Sequence, residues 1–207
     1  MLDLVLASGS PRRLALLRSA GLRVHARPVD CDETPLPHEA AVALARRLAR
    51  AKLDAALDGG LAPSATDLHP AATAPVLTAD TVVWRATTAA PLGKPRDRAH
   101  ARQVLQQLSG GDHFVTTAWA LARPRAPVLL AHETTRVWMR ALDEDELDAY
   151  LDTDEWSDKA GGYGIQGHAA GLVLRLEGSY TNVVGLPLAQ VLQALRRPAG
   201  HARPAAP

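Results

Sequence analysis

Apolar segments separated by polar or glycine-containing turns predict alternating strands and helices in the first part of the chain. An apolar strand over 2–7 leads into a helix that runs to about Ala20 and ends at Gly21. A second strand over 22–29 precedes a long helix over 39–57 that is rich in Ala, Leu and Arg. These boundaries follow from hydrophobic periodicity and from the usual start and stop residues of helices.

The second part of the chain joins two of its strands directly. The predicted elements are a strand over 75–84, a turn over 91–95, a helix over 97–108, strands over 113–122 and 128–141, a helix from Asp143 through Leu151, a glycine-rich loop over 158–167, a strand over 172–176, a polar turn through Asn182 and a helix over 187–196. A proline-containing turn joins the two long strands as an antiparallel hairpin. Alternating units followed by a hairpin predict an α/β protein with a mixed sheet.

Two segments do not fit this pattern. Residues 58–74 consist largely of Gly, Pro, Ala, Ser and Thr with little periodicity, which predicts an exposed, mobile loop insertion. Residues 198–207 predict a disordered tail. The span 1–197 is long enough for one well-buried core and too short for two ordinary domains, so we expect a single domain.

Composition narrows the class of protein. The chain has 207 residues with 23 Lys and Arg against 22 Asp and Glu, so no overall field attracts nucleic acid or an anionic membrane. No apolar run approaches the ~18 residues of a membrane span, and the first residues lack the pattern of a signal peptide. The single cysteine, Cys31, cannot form an internal disulfide, which suits a reducing cytosol. We therefore expect a cytoplasmic protein in which any basic site is local.

Two arginines lie where a helix N-terminus disfavours cations. Ser10 is a good N-cap, Pro11 is a favoured first helical residue, and Arg12 and Arg13 then fall in the first turn. One interpretation is a pair of solvated arginines. The other is a bound anion, held by backbone N–H groups, the two guanidiniums and the hydroxyls of Ser8 and Ser10.

Asp80 lies inside the apolar segment VLTADTVVW. An ionised carboxylate there is costly unless it is paired, bound to a metal or placed at the mouth of a cleft. It is either a buried carboxylate satisfied by neighbouring backbone N–H groups or a functional residue. A functional Asp80 could take a proton from water or hold a metal ion that does so.

Further candidates each have two interpretations. Lys52 falls along the apolar stripe of its helix, so its side chain points inward or snorkels to solvent. Lys94, in LGKP, is an ordinary turn lysine or a functional one, and Glu33 is a loop carboxylate or a metal ligand. The segment DKAGGYGIQG is a plain surface turn or a loop whose glycines let the backbone approach a ligand.

Together these segments resemble the Maf family of nucleotide pyrophosphatases from Leu4 to about Leu195. LASGSPRRLALLRSAGL is similar to the N-terminal signature of the family. The landmarks that follow in the family's order are DET, the pair Ala51 and Lys52, TADTVV, LGKP, WSDKAGGYGIQG and GSYTNVVGLPL. So many landmarks in one order are hard to obtain by chance, and the combination is therefore specific.

The resemblance implies a two-lobed α/β fold with a mixed twisted sheet and a central cleft, related in shape to the inosine triphosphate pyrophosphatases. It implies a hydrolase that cuts a nucleoside triphosphate between its α and β phosphates with help from a divalent cation, Mg²⁺ or Mn²⁺. By position, Asp80 would be the proton acceptor, and Glu33 would lie with it near the metal. The residues that would hold phosphates or lie at the same site are Arg12, Arg13, Lys52, Lys94, Ser8 and Ser10.

The resemblance also bears on the substrate. The branch of the family that cleaves dTTP and UTP carries DT and GIQG, as this chain does at Asp80 with Thr81 and at 164–167. The branch that prefers 7-methyl-GTP tends to have DQ and a glutamate where Gln166 stands. An amide suits the O4 and N3–H groups of thymine or uracil, whereas a carboxylate suits a cationic methylated guanine. The implied substrates are dTTP and UTP, with modified pyrimidine triphosphates as further candidates, and the implied specificity positions are Arg12, Thr81 and Gln166.

Other functions stay open at this point. The chain could be a 7-methyl-GTP pyrophosphatase, against which GIQG and DT argue, or a nucleotide-binding regulator of cell division, because members of the family are associated with septum inhibition. A nucleic-acid-binding module is least favoured, since net charge is near zero and aromatic residues are few. Residues 58–74 lack aromatic residues and a basic cluster, which favours a tolerated loop over a lid. A homodimer is expected only because the resemblance to the family implies it.

Overall fold

A mixed sheet of seven strands forms the centre of the fold in a computed structural model, which describes residues 2–61, 74–88 and 90–197. The strands are β1 (Asp3–Leu6), β2 (Arg23–Ala26), β3 (Val76–Trp84), β4 (Pro91–Leu92), β5 (Asp112–Ala122), β6 (Leu129–Met139) and β7 (Val173–Glu177). The helices are α1 (Pro11–Ser19), α2 (Ala41–Ala56), α3 (Arg98–Leu108), α4 (Glu144–Leu151), α5 (Tyr180–Val184) and α6 (Leu188–Arg196). Short 3₁₀ helices lie at Ala160–Gly162 and His168–Leu172, and a π-helical turn lies at Leu57–Leu61.

The sheet combines parallel and antiparallel pairs. Its strand order is β2-β1-β3-β5-β6-β7, with β4 beside β3. β1 is parallel to both β2 and β3, whereas β3 with β5, β5 with β6 and β6 with β7 are antiparallel. The predicted α/β fold with a mixed sheet is confirmed.

Helices cover both faces of this sheet. Successive side chains of a strand point to opposite faces, so Val82 joins the apolar cluster beneath α2 while Val83 joins the cluster beneath α3 and α4. On the face of Val83, α1 and α6 enclose another cluster that includes Leu17 and Val191. No helix in the described ranges is both long enough and apolar enough to cross a membrane.

Local sequence signals set the starts of several helices. The hydroxyl of Ser10 accepts a hydrogen bond from the backbone N–H of Arg13 at the start of α1. Asp97 caps α3 in the same manner, and Asp143 with Glu146 forms the predicted capping box of α4. Each cap satisfies a backbone donor that the helix itself leaves unpaired.

Two strand predictions need correction. The predicted strand over 22–29 is shorter, because its partner β1 ends at Leu6, which lies opposite Ala26 in the parallel ladder. The predicted turn over 91–95 begins with β4, because the backbone there pairs antiparallel with Val83 and Trp84.

The predicted polar turn through Asn182 is also wrong. This segment is helix α5, which forms because the hydroxyl of Ser179 accepts a hydrogen bond from the backbone N–H of Asn182. The predicted disordered tail over 198–207 lies outside the described residues, as does most of the predicted loop over 58–74.

The edge of β3 is open between two neighbours. β1 pairs with Val76 and Leu77 and then ends, and β4 pairs with Val83 and Trp84. Within the described residues, no strand pairs with 78–82 on this side. We call this open stretch, 78–82, the β3 notch. Ligands of open α/β sheets bind beyond the carboxyl ends of parallel strands, so the end of β1 beside the notch is the expected location of a site.

Leu53 tests the packing of α2 on the sheet. Leu53→Ala truncates a side chain that is 0% exposed, so we expect urea denaturation to give a free energy of unfolding lower by about 2–5 kcal/mol. Leu174→Ala makes the same change on β7, where the residue is 69% exposed. This control should change the free energy of unfolding by less than about 0.5 kcal/mol. Equal losses in the two variants would contradict the assigned packing.

Candidate active site

A charged cavity opens at the β3 notch. Its volume is about 910 Å³, which is within the range of small-molecule sites. All of the site residues predicted from the sequence contribute to its lining: Ser8, Ser10, Arg12, Arg13, Glu33, Lys52, Asp80, Thr81, Lys94 and Gln166. The fold therefore brings segments that are far apart in the chain to one place, while the chemical roles of these residues stay predictions.

Arg13 joins three elements beside the cavity. Its Nε donates to the carbonyl of Gly185 at 2.8 Å, and its terminal nitrogens donate to Ser8 Oγ at 3.1 Å and to Thr81 Oγ1 at 3.0 Å. Burial lowers the pKa of Arg13, and the carboxylate of Asp80 acts in the opposite direction. Because these donors bind protein acceptors, Arg13 fixes the start of α1 against β3 and against the connection from α5 to α6.

Arg12 has a different environment from its neighbour. Its side chain is 30% exposed, and its NH1 lies 3.8 Å from the carboxylate of Asp158. An ion pair of this length on a partly solvated side chain is weak. Of the two arginines predicted to hold an anion, Arg12 therefore has the freer guanidinium.

Lys52 bridges two carboxylates. Its Nζ lies 2.6 Å from Glu33 Oε1 and 2.6 Å from Asp80 Oδ1. The Lys52 side chain is only 12% exposed, so it points inward and does not snorkel. Burial lowers the pKa of Lys52, but Asp80 and Glu33 outweigh burial and raise the pKa above its ordinary value.

Asp80 extends from β3 into the notch, on the face covered by α2. Its side chain is 10% exposed, and its Oδ1 accepts the hydrogen bond from Lys52. In the described part of the chain, no backbone N–H group donates to this carboxylate. The buried charge is thus compensated by an ammonium group, not by the peptide backbone.

The remaining predicted residues differ in whether their side chains already have partners within the protein. The hydroxyl of Thr81 lies 3.0 Å from the Arg13 guanidinium and 2.9 Å from Thr117 Oγ1. Lys94 is 61% exposed and lies 3.9 Å from Glu33. Gln166 is exposed at the wall of the cavity. Lys94 and Gln166 are therefore available to a ligand, whereas the Thr81 hydroxyl is engaged within the protein.

A divalent cation fits this site only with oxygen atoms from a ligand. Among residues 2–61, 74–88 and 90–197, no group of three or more His, Cys, Asp or Glu side chains could hold a metal ion. Glu33 and Asp80 are close enough to share one ammonium group. Mg²⁺ commonly binds one or two carboxylates together with substrate phosphates and water. These two carboxylates fit that mode of binding and do not form a complete protein cage.

Several lining residues were not singled out from the sequence. Glu155, Asp158, Lys159 and Tyr163 also face the cavity. The hydroxyl of Tyr163 hydrogen bonds to His113 on β5 at 2.8 Å, and burial lowers the pKa of His113 to about 4. The density of charged and glycine residues in WSDKAGGYGIQG was the available signal for this segment, but it did not indicate which side chains face inward.

Fold and site together define an α/β protein with an anion-binding cavity. The cavity gathers cations and carboxylates beyond the carboxyl end of a parallel strand and next to the N-terminus of α1. Such a place in an α/β fold is typical of sites that bind phosphates and other anions. Within this class the chain belongs to the family described as Maf-like protein, whose profile matches residues 3–198.

Named relatives cover most of the chain. A protein of Nitrobacter winogradskyi named dTTP/UTP pyrophosphatase is 46% identical over 198 residues, which cover 93% of this chain and 90% of the relative. Proteins of the same name from Bradyrhizobium diazoefficiens and Oleidesulfovibrio alaskensis are 47% and 45% identical; they cover 89% and 93% of this chain and 85% and 84% of their own lengths. The solved structure of a HAM1 protein from Coxiella burnetii is 20% identical, covers 94% of this chain and 98% of that chain, and has a TM-score of 0.47.

Glu33 gives a test of the bridge made by Lys52. Burial raises the pKa of Glu33, but the hydrogen bond and charge of Lys52 outweigh burial and hold the pKa below its ordinary value of 4.5. Lys52→Met should therefore raise the pKa of Glu33 in a carboxyl NMR titration. A lowered pKa in the folded state stabilises the protein above the unfolded-state pKa, and this stabilisation is lost as pH falls. The difference in unfolding free energy between the native chain and Lys52→Met should narrow as pH falls below about 4.5.

Lys94→Met is the matched control for this titration. Lys94 is 61% exposed and 3.9 Å from Glu33, so its removal should shift the pKa of Glu33 less than removal of Lys52. Shifts of equal size in the two variants, or no shift in Lys52→Met, would show that Lys52 does not bind Glu33 in solution.

Proposed function

We propose that this chain hydrolyses dTTP and UTP between the α and β phosphates and releases the nucleoside monophosphate and pyrophosphate. The observation that carries the proposal is the placement of Asp80 at the β3 notch, where Lys52 holds it in a cavity that the start of α1 also lines. The relatives that bear the name dTTP/UTP pyrophosphatase are 45% to 47% identical over most of the chain, which supports the same activity here.

The proposed reaction uses Asp80 as a proton acceptor. Water attacks the α phosphorus, and the bond from that phosphorus to the oxygen that bridges to the β phosphate breaks. Asp80 takes the proton that the water loses, and pyrophosphate departs with the bridging oxygen. Because Lys52 occupies Oδ1, we assign Oδ2 of Asp80 to the acceptor role, and the second lone pair of Oδ2 remains available to a cation. Lys52 keeps the carboxylate in one orientation, and this positioning lowers the entropic cost of the step.

The charges of the triphosphate would be met by several cations. Arg12 and Lys94 have partly exposed head groups at the cavity, and the residues at the start of α1 line the same space. Guanidinium and ammonium groups bind phosphate oxygens through charge-assisted hydrogen bonds, and a helix N-terminus also favours an anion. In this assignment Arg13 contributes mainly by fixing the α1 segment.

The pyrimidine base would be read by Gln166. The amide of Gln166 offers one acceptor and two donor hydrogens, which match the N3–H and O4 groups of thymine and uracil. The Thr81 hydroxyl already binds Arg13 and Thr117. We therefore propose that Thr81 influences specificity through the position of Arg13 and does not touch the base.

A divalent cation is proposed as cofactor. Glu33 and Asp80 would hold it together with phosphate oxygens and water, because their carboxylates share the space around Lys52 Nζ. When bound, the ion would neutralise charge on the phosphates and so favour attack by the oxygen of the water that Asp80 deprotonates.

The activity is tested by pyrophosphate release from dTTP, UTP, CTP, GTP, ATP and 7-methyl-GTP in the presence of Mg²⁺ or Mn²⁺. We expect release from dTTP and UTP, and a decrease of at least about 100-fold in kcat for Asp80→Asn, since the amide cannot accept the proton. Binding of dTTP should persist in this variant because the cations of the cavity are unchanged.

Asp54→Asn is the control for the loss of a carboxylate. Asp54 is a partly exposed α2 residue that pairs with Arg50 at 2.9 Å, so its variant should keep native kinetics. A preference for 7-methyl-GTP would overturn the proposed substrate. If no pyrophosphate is released from any nucleotide, the chain is not the proposed enzyme, and a nucleotide-binding regulator is favoured.

Metal removal gives a separate test. EDTA should abolish pyrophosphate release, and added Mg²⁺ should restore it. Glu33→Gln should raise the Mg²⁺ concentration for half-maximal activity by at least about tenfold, because a neutral amide is a poorer ligand for a hard cation. Glu144→Gln, at a surface carboxylate that is 73% exposed, should leave this concentration unchanged. Full activity in EDTA would exclude the proposed cofactor.

A further inference from the structure

Gln166 lies at the tip of a tight turn. The backbone N–H of Gly167 donates to the carbonyl of Gly164 at 3.0 Å, so Ile165 and Gln166 occupy the two central positions of a four-residue turn. Ile165 is 8% exposed and packs inward, whereas Gln166 is exposed at the cavity. The direction of the Gln166 amide therefore depends on what holds the two ends of this turn.

The first end of the turn is held by α4 and by the preceding loop. The backbone N–H of Gly164 donates to the hydroxyl of Tyr150 at 3.3 Å. The stem of Lys159 also lies so close to Gly164 that a Cβ there would be 2.8 Å from Lys159 Cε. These contacts fix the backbone at which the turn begins.

The second end is held by the carboxylate of Glu155. Its two oxygens lie 3.0 and 2.9 Å from the backbone nitrogen of His168, and Oε1 lies 2.8 Å from His168 Nδ1. A Cβ on Gly167 would overlap this carboxylate, so only glycine permits the close approach. His168 begins a 3₁₀ helix whose N-cap, Gly167, has no side chain, and Glu155 supplies the missing acceptor from a distant part of the chain.

Glu155 is itself well positioned for this contact. Its side chain is 24% exposed, and its backbone N–H donates to Thr153 Oγ1 at 3.2 Å. Burial raises the pKa of Glu155, but the hydrogen bonds from His168 outweigh burial and lower it. Glu155 is thus an anion at neutral pH, bound to the last peptide of the turn that carries Gln166.

We propose that Glu155 is a positioning residue for pyrimidine selectivity, which it controls by holding the Gly164–Gly167 turn so that the Gln166 amide faces the base. The proposal rests on the proposed function, in which Gln166 reads the base. Glu155 does not touch the phosphates or the reacting water in this assignment. Its removal should therefore affect the choice of nucleotide more than the chemical step.

The test measures kcat and KM for dTTP and CTP in the native chain, Glu155→Ala and Glu155→Gln. Glu155→Ala should reduce the preference for dTTP over CTP, the ratio of their kcat/KM values, by roughly tenfold. The change should lie in KM for dTTP, with kcat altered less than about twofold. Glu155→Gln retains an oxygen that can accept from the His168 N–H, and it should recover most of the preference.

A second variant removes the donor and leaves Glu155 in place. His168→Pro lacks the backbone N–H, and proline is tolerated at the first position of a helix. It should lose the preference to a similar extent. Hydrogen exchange should be faster at the His168 amide in Glu155→Ala than in Glu155→Gln. Glu177→Ala, on the exposed face of β7 with its side chain 64% exposed, is the matched control and should change neither quantity.

An unchanged preference in Glu155→Ala would overturn the proposal, whether or not the amide exchanges faster. A native chain with no preference between dTTP and CTP would also overturn it. If the native chain hydrolyses neither nucleotide, the proposed function fails. The same comparison is then made with the ratio of Kd for CTP to Kd for dTTP by calorimetry, and a ratio unchanged by Glu155→Ala overturns the inference.

Discussion

The ammonium group of Lys52, 2.6 Å from both Glu33 and Asp80, is the interaction on which the rest of the site depends. Two carboxylates this close repel each other, and the charge of Asp80 is almost fully buried. The pair of Glu33 and Asp80 therefore needs a cation between the two carboxylates. The bridge joins three segments: α2, β3 and the loop that follows β2. Because α2 packs on the sheet through its apolar stripe, that packing also sets the position of the acidic pair.

The second constraint is the early end of β1. A longer β1 would pair with 78–82 and close the β3 notch, whereas the end of β1 at Leu6 leaves room for the turn that starts α1. Arg13 then connects that turn to Thr81 and to Gly185. Asn182 connects α5 to the next strand of the sheet. Its side chain accepts a hydrogen bond from the backbone N–H of Thr117 and donates one to the carbonyl of Val115, both within β5. The cavity thus follows from the length of β1 and from the polar contacts of Arg13 and Asn182.

The sequence predicted those parts of the site that violate a local rule. A charge in an apolar strand marked Asp80, and a lysine on an apolar stripe marked Lys52. It could not predict Glu155, because Glu155 contacts a backbone N–H 13 residues later and violates no rule at its own position. β4 and α5 were missed for a related reason: a two-residue strand and a five-residue helix contain too few residues for periodicity to appear.

The cavity has too little positive charge to neutralise a triphosphate without a further cation. Among the described lining residues, five are cationic and four are carboxylates. The cations are Arg12, Arg13, Lys52, Lys94 and Lys159, and the carboxylates are Glu33, Asp80, Glu155 and Asp158. Lys52 and Arg13 are already engaged within the protein, so the excess of positive charge is too small to neutralise a polyanion. A divalent cation that enters with the nucleotide would supply the missing charge and would also separate the phosphates from the carboxylates.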